Sequence, residues 1–162
     1  MRIKWFSLIR ITGLLLVLLY HFFQTIFPGG FFGVDVFFTF SGFLITALLL
    51  EEFGRKRQID LLGFFKRRFY RIVPPVVLMV LVTMPFTLLV RQDYVAGIGG
   101  QIAGVLGFMT NFYEMLTGGS YESQFIPHLF VHNWSLAVEV HYYILWGLAV
   151  WFLSKRSKSS SQ

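Results

Sequence analysis

The chain has 162 residues, 56% of them hydrophobic and only 14% charged, with a mean hydropathy of +0.65. A soluble domain of this length needs a charged fraction nearer a quarter, so an ordinary soluble globular protein is excluded and an all-α, multi-pass transmembrane helical bundle is expected. The formal net charge of +6 does not point to nucleic acid, because the basic residues cluster beside hydrophobic runs, as in cytoplasmic loops that face an anionic leaflet.

The chain opens on a short basic stretch, Met1 to Lys4, with Arg2 and Lys4. The apolar run Trp5 to Phe27 is long enough to cross a bilayer. It carries Arg10 and His21 and lacks a small-residue cleavage site, so it does not read as a cleaved signal peptide. Trp5 at one end and Tyr20, Phe22 and Phe23 near the other fit interfacial anchoring. Pro28-Gly29-Gly30 signals a turn. A second run, Phe31 to Leu50, is interrupted only by Asp35, Thr39, Ser41 and Thr46. Glu51 to Arg71 reads as a charged loop with seven basic residues against three acidic ones, which the positive-inside rule places in the cytoplasm. The basic N-terminus, two crossings earlier, is then cytoplasmic too, and the chain is a multi-pass cell-membrane protein.

The third crossing is expected over Ile72 to Val90, with Pro74 and Pro75 in its first turn, where missing donors cost least. Arg91 to Tyr94 forms an outer loop. Val95 to Leu116 is apolar but rich in glycine, and either crosses or enters the membrane as a re-entrant or interfacial piece. Four or five membrane segments result. The basic tail favours four, because a fifth would leave it outside. Thr117 to Asn133 is a polar loop, and Trp134 to Leu153 is the last apolar run, carrying Glu139 and His141. Residues 1–153 thus form one membrane domain and 154–162 a basic, disordered tail. There is no Cys, hence no disulfide and no thiolate nucleophile or metal ligand.

Ionisable groups inside apolar runs are expensive and mark candidate sites; an isolated carboxylate at depth costs about 2.5–3.5 kcal/mol on insertion scales. Arg10 and His21 are eleven positions apart, about three turns plus 20°, so they lie on one helical stripe about 16 Å apart. Asp35 lies a similar distance beyond the turn as His21 lies before it, so the two fall at similar depth in an antiparallel hairpin. With four crossings Glu139 enters from the same side, and His21, Asp35 and Glu139 could meet in one outward-leaning pocket, as a base and its orienter would. The structural readings compete: His21 bonded to a backbone carbonyl, Arg10 snorkelling to inner headgroups, or a His–Asp or Arg–Glu pair gluing helices.

Lys66-Arg67-Arg68-Phe69-Tyr70-Arg71 is topogenic on charge alone. If it is helical, Arg67 and Arg71 share a face, and their forks suit the phosphates of an anionic cytoplasmic donor. His128 and His132 are four apart without a nearby carboxylate, so no metal site is expected.

These strings together resemble the membrane acyltransferase-3 family. Arg10 to His21 has that family's R-x10-H spacing. GGFFGVDVFFTFSGFLIT (Gly29 to Thr46) is similar to its second helix, FFKRRFYRIVPP (Phe64 to Pro75) to its arginine-rich cytoplasmic motif, and NWSLAVEVHYYILW (Asn133 to Trp146) to its W-S-L-A-V-E motif. The four occur in the family's order. The resemblance implies a membrane O-acyltransferase that moves an acyl group, typically acetyl, from cytoplasmic acyl-CoA to hydroxyls of an extracytoplasmic glycan. Within the family the chain looks most like the bacterial peptidoglycan O-acetyltransferases.

Carried over by position, Arg10 and His21 become the essential pair, with His21 as base or transient acyl carrier and Arg10 as donor-phosphate or structural partner. Arg67, Arg68 and Arg71 become donor contacts. Asp35, Ser135 and Glu139 become active-site residues, with Trp134 beside the substrate. Family members usually continue through further helices, and the peptidoglycan enzymes often carry a fused extracytoplasmic esterase-like domain. This sequence resembles their N-terminal part, whose expected partners are the remaining helices or a separate esterase-like acetyltransferase. His141 stands where the family often has glutamine. Two other readings remain: a proton-coupled transporter-like module with Arg10, His21, Asp35 and Glu139 as its path, or a non-catalytic truncated membrane protein.

Overall fold

The computed structural model describes residues 4–23, 25–89, 95–117 and 128–159, with the backbone alone at 4–7, 10 and 157–159. All regular structure among them is helical: α1 (Lys4–Phe22), α2 (Phe32–Lys56), α3 (Leu61–Phe86), α4 (Ile98–Leu106), α5 (Thr110–Thr117) and α6 (Trp134–Ser159). Short 3-10 turns occupy Pro28–Phe31, Thr87–Leu89 and Val131–Asn133. Three stretches, Pro28–Lys56, Leu61–Leu89 and Val131–Arg156, are long and apolar enough to cross a bilayer, and a shorter apolar run, Ile11–Phe22, lies in α1. Such a chain satisfies its backbone internally, which makes it a membrane helical bundle. It divides into two compact units, Met1–Ile59 and Asp60–Gln162.

The first unit is a helical hairpin. Its helices meet at glycines, because side chains gain little by leaving lipid for one another and close backbone approach must supply the packing. A Cβ on Gly30 would lie 2.3 Å from Leu16 O, and one on Gly33 would lie 2.6 Å from Gly13 O. As the chain advances from 30 to 33, its neighbours step back from Tyr20 and Leu16 to Gly13, so α1 and α2 run antiparallel. On α2, Ser41, Ile45 and Leu49 are buried at four-residue spacing, which is one helical stripe.

Two expectations about the first turn and loop are corrected. α1 stops at Phe22, not Phe27: the amides of Ile26 and Phe27 both bond back to Phe23 O at 2.9 Å, forming a turn before Pro28. The charged stretch from Glu51 is not a loop. α2 continues to Lys56, aided by the Glu52–Lys56 pair at 3.3 Å, and ends on Arg57 in the left-handed conformation (φ 55°) with its N–H on Phe53 O.

In the second unit α3 starts much earlier than Ile72. The Asp60 carboxylate accepts from the Gly63 N–H at 2.9 Å, capping a helix at Leu61. The arginine-rich motif is therefore the first half of a long helix, and Pro74 and Pro75 lie inside it rather than in its first turn. Their missing donors strand the carbonyls of Tyr70 and Arg71, both at exposed positions where water or headgroups can serve them.

Val95 to Leu116 does not form one crossing helix. It breaks at Gly107 and Phe108 (φ 54°) into α4 and α5, nine and eight residues long. Each is about 12–14 Å, less than half a bilayer core. α3 and α6 explain why such a hairpin suffices. Phe64 packs on Gly147, while Arg68 one turn later stacks on Tyr143 one turn earlier, so the two long helices are antiparallel. The segment between them leaves and returns on the same side. Val76, Val80, Val105 and Phe130 form the buried core of this unit. α6 runs through Ser159 where the sequence predicts a disordered tail from residue 154. Lys155 lies over Trp151 at 4.0 Å and Arg156 over Phe152 at 4.9 Å, which lets their charged heads extend the helix along aromatic stems.

Candidate functional site

In the first unit Arg10 belongs to α1, and its side chain lies outside the described residues. His21 is in the last turn of α1, and its Nδ1 lies 2.9 Å from Val17 O. A carbonyl only accepts, so Nδ1 carries the proton, and in the neutral imidazole the lone pair sits on Nε2. Tyr20 meets the ring edge-on, with centroids 5.8 Å apart.

Asp35 lies in the first turn of α2, at the same end of the hairpin. Its carbonyl accepts from Thr39 Oγ1 at 2.8 Å, and its carboxylate is exposed, with no hydrogen bond or ion pair among the described residues. A carboxylate in a helix's first turn complements the macrodipole without further partners. His21 and Asp35 thus share an end of the hairpin but are not bonded to each other. Glu139 belongs to the other unit.

In the second unit the three arginines divide. Arg67 and Arg71 are exposed, while Arg68 turns inward. Its guanidinium lies 5.6 Å from the Phe64 ring centre and 5.4 Å from that of Tyr143. The Tyr143 hydroxyl donates to Glu139 Oε1, one turn back on α6. A planar cation, an aromatic ring and a carboxylate are thereby held in line across α3 and α6. The Phe64 ring stands 3.2 Å from where a Cβ on Gly147 would be, so that glycine sets the helix separation at this level.

Beside this row opens a cavity of about 700 Å³, mostly apolar, lined by Phe65, Arg68, Phe69, Phe108, Val140 and Tyr143 among others. That volume is ordinary for a small-molecule site. Trp134 and Ser135 open α6, where Ser135 Oγ donates to His132 O at 3.4 Å. His141 packs near Phe112, ring centres 5.5 Å apart.

Sequence reasoning missed two features. Tyr143 was legible only as the residue one turn after Glu139. The second miss is a correction: His128 does have a nearby carboxylate. Its Nδ1 lies 2.8 Å from Glu114 Oε2, because the chain after α5 returns to it across fourteen positions. Gln101, 1% exposed, ties the same region together: its amide donates to Ala96 O at 2.7 Å, and its oxygen accepts from the Phe130 N–H. Among the described residues no three His, Cys, Asp or Glu side chains gather as a metal site would require. Arg91 to Tyr94 and residues 118–127 lie outside the described residues.

The family model described as an acyltransferase domain matches residues 3–161. O-acetyltransferase OatA of Staphylococcus aureus strain NCTC 8325 is 35% identical over 150 residues, covering 93% of this chain and 25% of that protein. The OatA of strain MRSA252 matches to the same extent. The chain therefore spans about a quarter of the length of these curated relatives. No solved structure matches.

Proposed function

Because the chain belongs to the acyltransferase-3 family, we propose that it serves the transfer of an acetyl group from cytoplasmic acetyl-CoA to a hydroxyl of an extracytoplasmic glycan such as peptidoglycan. The observation that carries this reading is the row Arg68–Tyr143–Glu139 beside the apolar cavity. The exposed Arg67 and Arg71 offer forks to the phosphates of the donor. The cavity receives its acyl thioester, with Trp134 and Ser135 at the head of α6 for the acceptor. Arg68, stacked rather than exposed, keeps its charge where the thioester carbonyl gains negative character.

In the reaction the hydroxyl oxygen bonds to the acyl carbon, the carbon–sulfur bond breaks, and the coenzyme leaves as thiol after taking up a proton. His21, its Nδ1 held on Val17 O, serves as base or transient acyl carrier, with Asp35 at the same end of its hairpin. Arg10 serves the donor phosphates or holds the hairpin. The positive-inside rule sets the N-terminus and the Arg57–Asp60 link in the cytoplasm of a bacterial cell membrane. The relatives are longer, and in the cell further helices or a separate esterase-like acetyltransferase work beside this domain, which carries the acetyl transfer itself.

The test is release of labelled acetyl from acetyl-CoA by proteoliposomes holding the chain, compared with His21→Ala and with empty vesicles. Release above the empty-vesicle rate that His21→Ala abolishes supports the reading. Equal rates for wild type and His21→Ala refute the role of His21.

A further inference from the structure

The second unit contains a polar cluster that the row at Tyr143 does not use. Glu114 on α5 is 6% exposed, and its Oε2 holds Nδ1 of His128 at 2.8 Å. A carboxylate accepts, so Nδ1 carries the proton and the lone pair of the neutral ring is on Nε2. The His128 side chain keeps 20% of its surface exposed, and Nε2 makes no hydrogen bond among the described residues. The Tyr113 ring, 5.6 Å away, closes one side of the imidazole. Tyr113, on α5, is itself held against the start of α4, its hydroxyl donating to Gly97 O at 3.3 Å.

On the same helix as Glu114, three buried polar atoms have no hydrogen-bond partner among the described residues: Glu114 Oε1, Thr110 Oγ1 and Asn111 Oδ1. Thr110 is 1% exposed and lies one turn before Glu114 on the same face. A carboxylate that merely tied the chain back to α5 would have both oxygens satisfied, since a buried acceptor left bare is costly. Each such buried group in a native structure calls for an explanation, and a catalytic role is one of them.

We propose that His128 is the proton acceptor for the hydroxyl that receives the acyl group, and that Glu114 is its positioning residue. This rests on the acyl-transfer reading above and assigns the acceptor's proton to a second histidine. Nε2 takes the hydroxyl proton as the oxygen bonds to the acyl carbon. The carbon–sulfur bond of the thioester breaks, the imidazolium returns its proton to water, and the coenzyme thiolate takes one up. His21 is then left to the donor half of the reaction.

The test uses proteoliposomes of the full chain, acetyl-CoA, and a β-1,4-linked N-acetylglucosamine tetramer as acceptor probe, with ester formation measured by mass spectrometry. His128→Asn places an amide donor where Nδ1–H stands, so it keeps the tie to Glu114 and removes the base. The expected result is a fall in kcat of about a hundredfold or more with KM for acetyl-CoA unchanged. Added imidazole restores ester formation in His128→Ala. Glu114→Gln lowers kcat by about tenfold, and the double variant is no worse than the single histidine change. Ester formation by His128→Asn within twofold of wild type, or an activity loss in His128→Ala that imidazole does not repair, marks the pair as a structural tie and overturns the proposal. A wild-type chain that makes no ester overturns the acyl-transfer reading as well, whereas wild-type activity with an indifferent His128 overturns this inference alone.

Discussion

Adding one methyl group at Gly33 tests how the first unit is built. Gly33 sits in the first turn of α2, where alanine is ordinarily better than glycine by about 1 kcal/mol. A Cβ there would lie 2.6 Å from Gly13 O, 2.8 Å from Val17 Cγ2 and 3.1 Å from Leu16 Cβ. The nearest obstacle is backbone, so α1 must move away from α2. Overpacking of this kind costs about 1–3 kcal/mol, more than the propensity gain at its upper end. The net expectation for Gly33→Ala is a loss of up to about 2 kcal/mol, a fall of up to roughly 30-fold in the folded-to-unfolded ratio. Gly54, on the same helix, has nothing within 4 Å of its added Cβ, so Gly54→Ala is expected to gain about 0.5–1 kcal/mol. Unfolding in mixed micelles at increasing sodium dodecyl sulfate, followed by tryptophan fluorescence, compares the two. A Gly33→Ala midpoint at or above wild type would show that the helices do not meet at Gly13 and Gly33. The same misplacement would move His21 relative to Asp35, so the variant should also lose acetyl release.

Other outcomes follow from single contacts. Tyr143→Phe removes the hydroxyl that donates to Glu139, costing about 1–3 kcal/mol at a half-buried carboxylate and lowering acetyl release about tenfold in the proteoliposome assay. Arg68→Lys keeps the charge but loses the flat stack on Phe64 and Tyr143, about 0.5–2 kcal/mol; its activity should fall well below that of Arg71→Lys, measured side by side. Gln101→Leu strands Ala96 O and the Phe130 N–H at once, and a drop of about 2–4 kcal/mol in unfolding free energy is expected. Arg57→Gly relieves a left-handed residue at the end of α2 and should stabilise by about 1 kcal/mol, read as a higher unfolding midpoint.

The readings that survived from sequence rest on composition and local chemistry. Long apolar runs cannot stay in water, and glycine with proline at 28–30 cannot continue a helix, so the hairpin was visible without coordinates. The matching strings around His21, Arg68 and Glu139 named the family for the same reason: each motif is a short stretch of chain. Helix ends were harder. The cap at Asp60 and the left-handed stop at Arg57 are individual hydrogen bonds and torsions, and charge made the residues between Glu51 and Arg71 read as a loop when most of them are helical.

Residue types and their order along the chain thus determined that this is a membrane acyltransferase domain with ionisable groups in its helices, because transfer free energy depends on the sequence itself. Only the tertiary structure decided which groups meet. Tyr143 reaches Arg68 because Gly147 lets α3 and α6 approach, and Glu114 meets His128 because the chain returns to α5 after leaving it. Neither pairing is written in local spacing, since each depends on where the chain returns after leaving the helix.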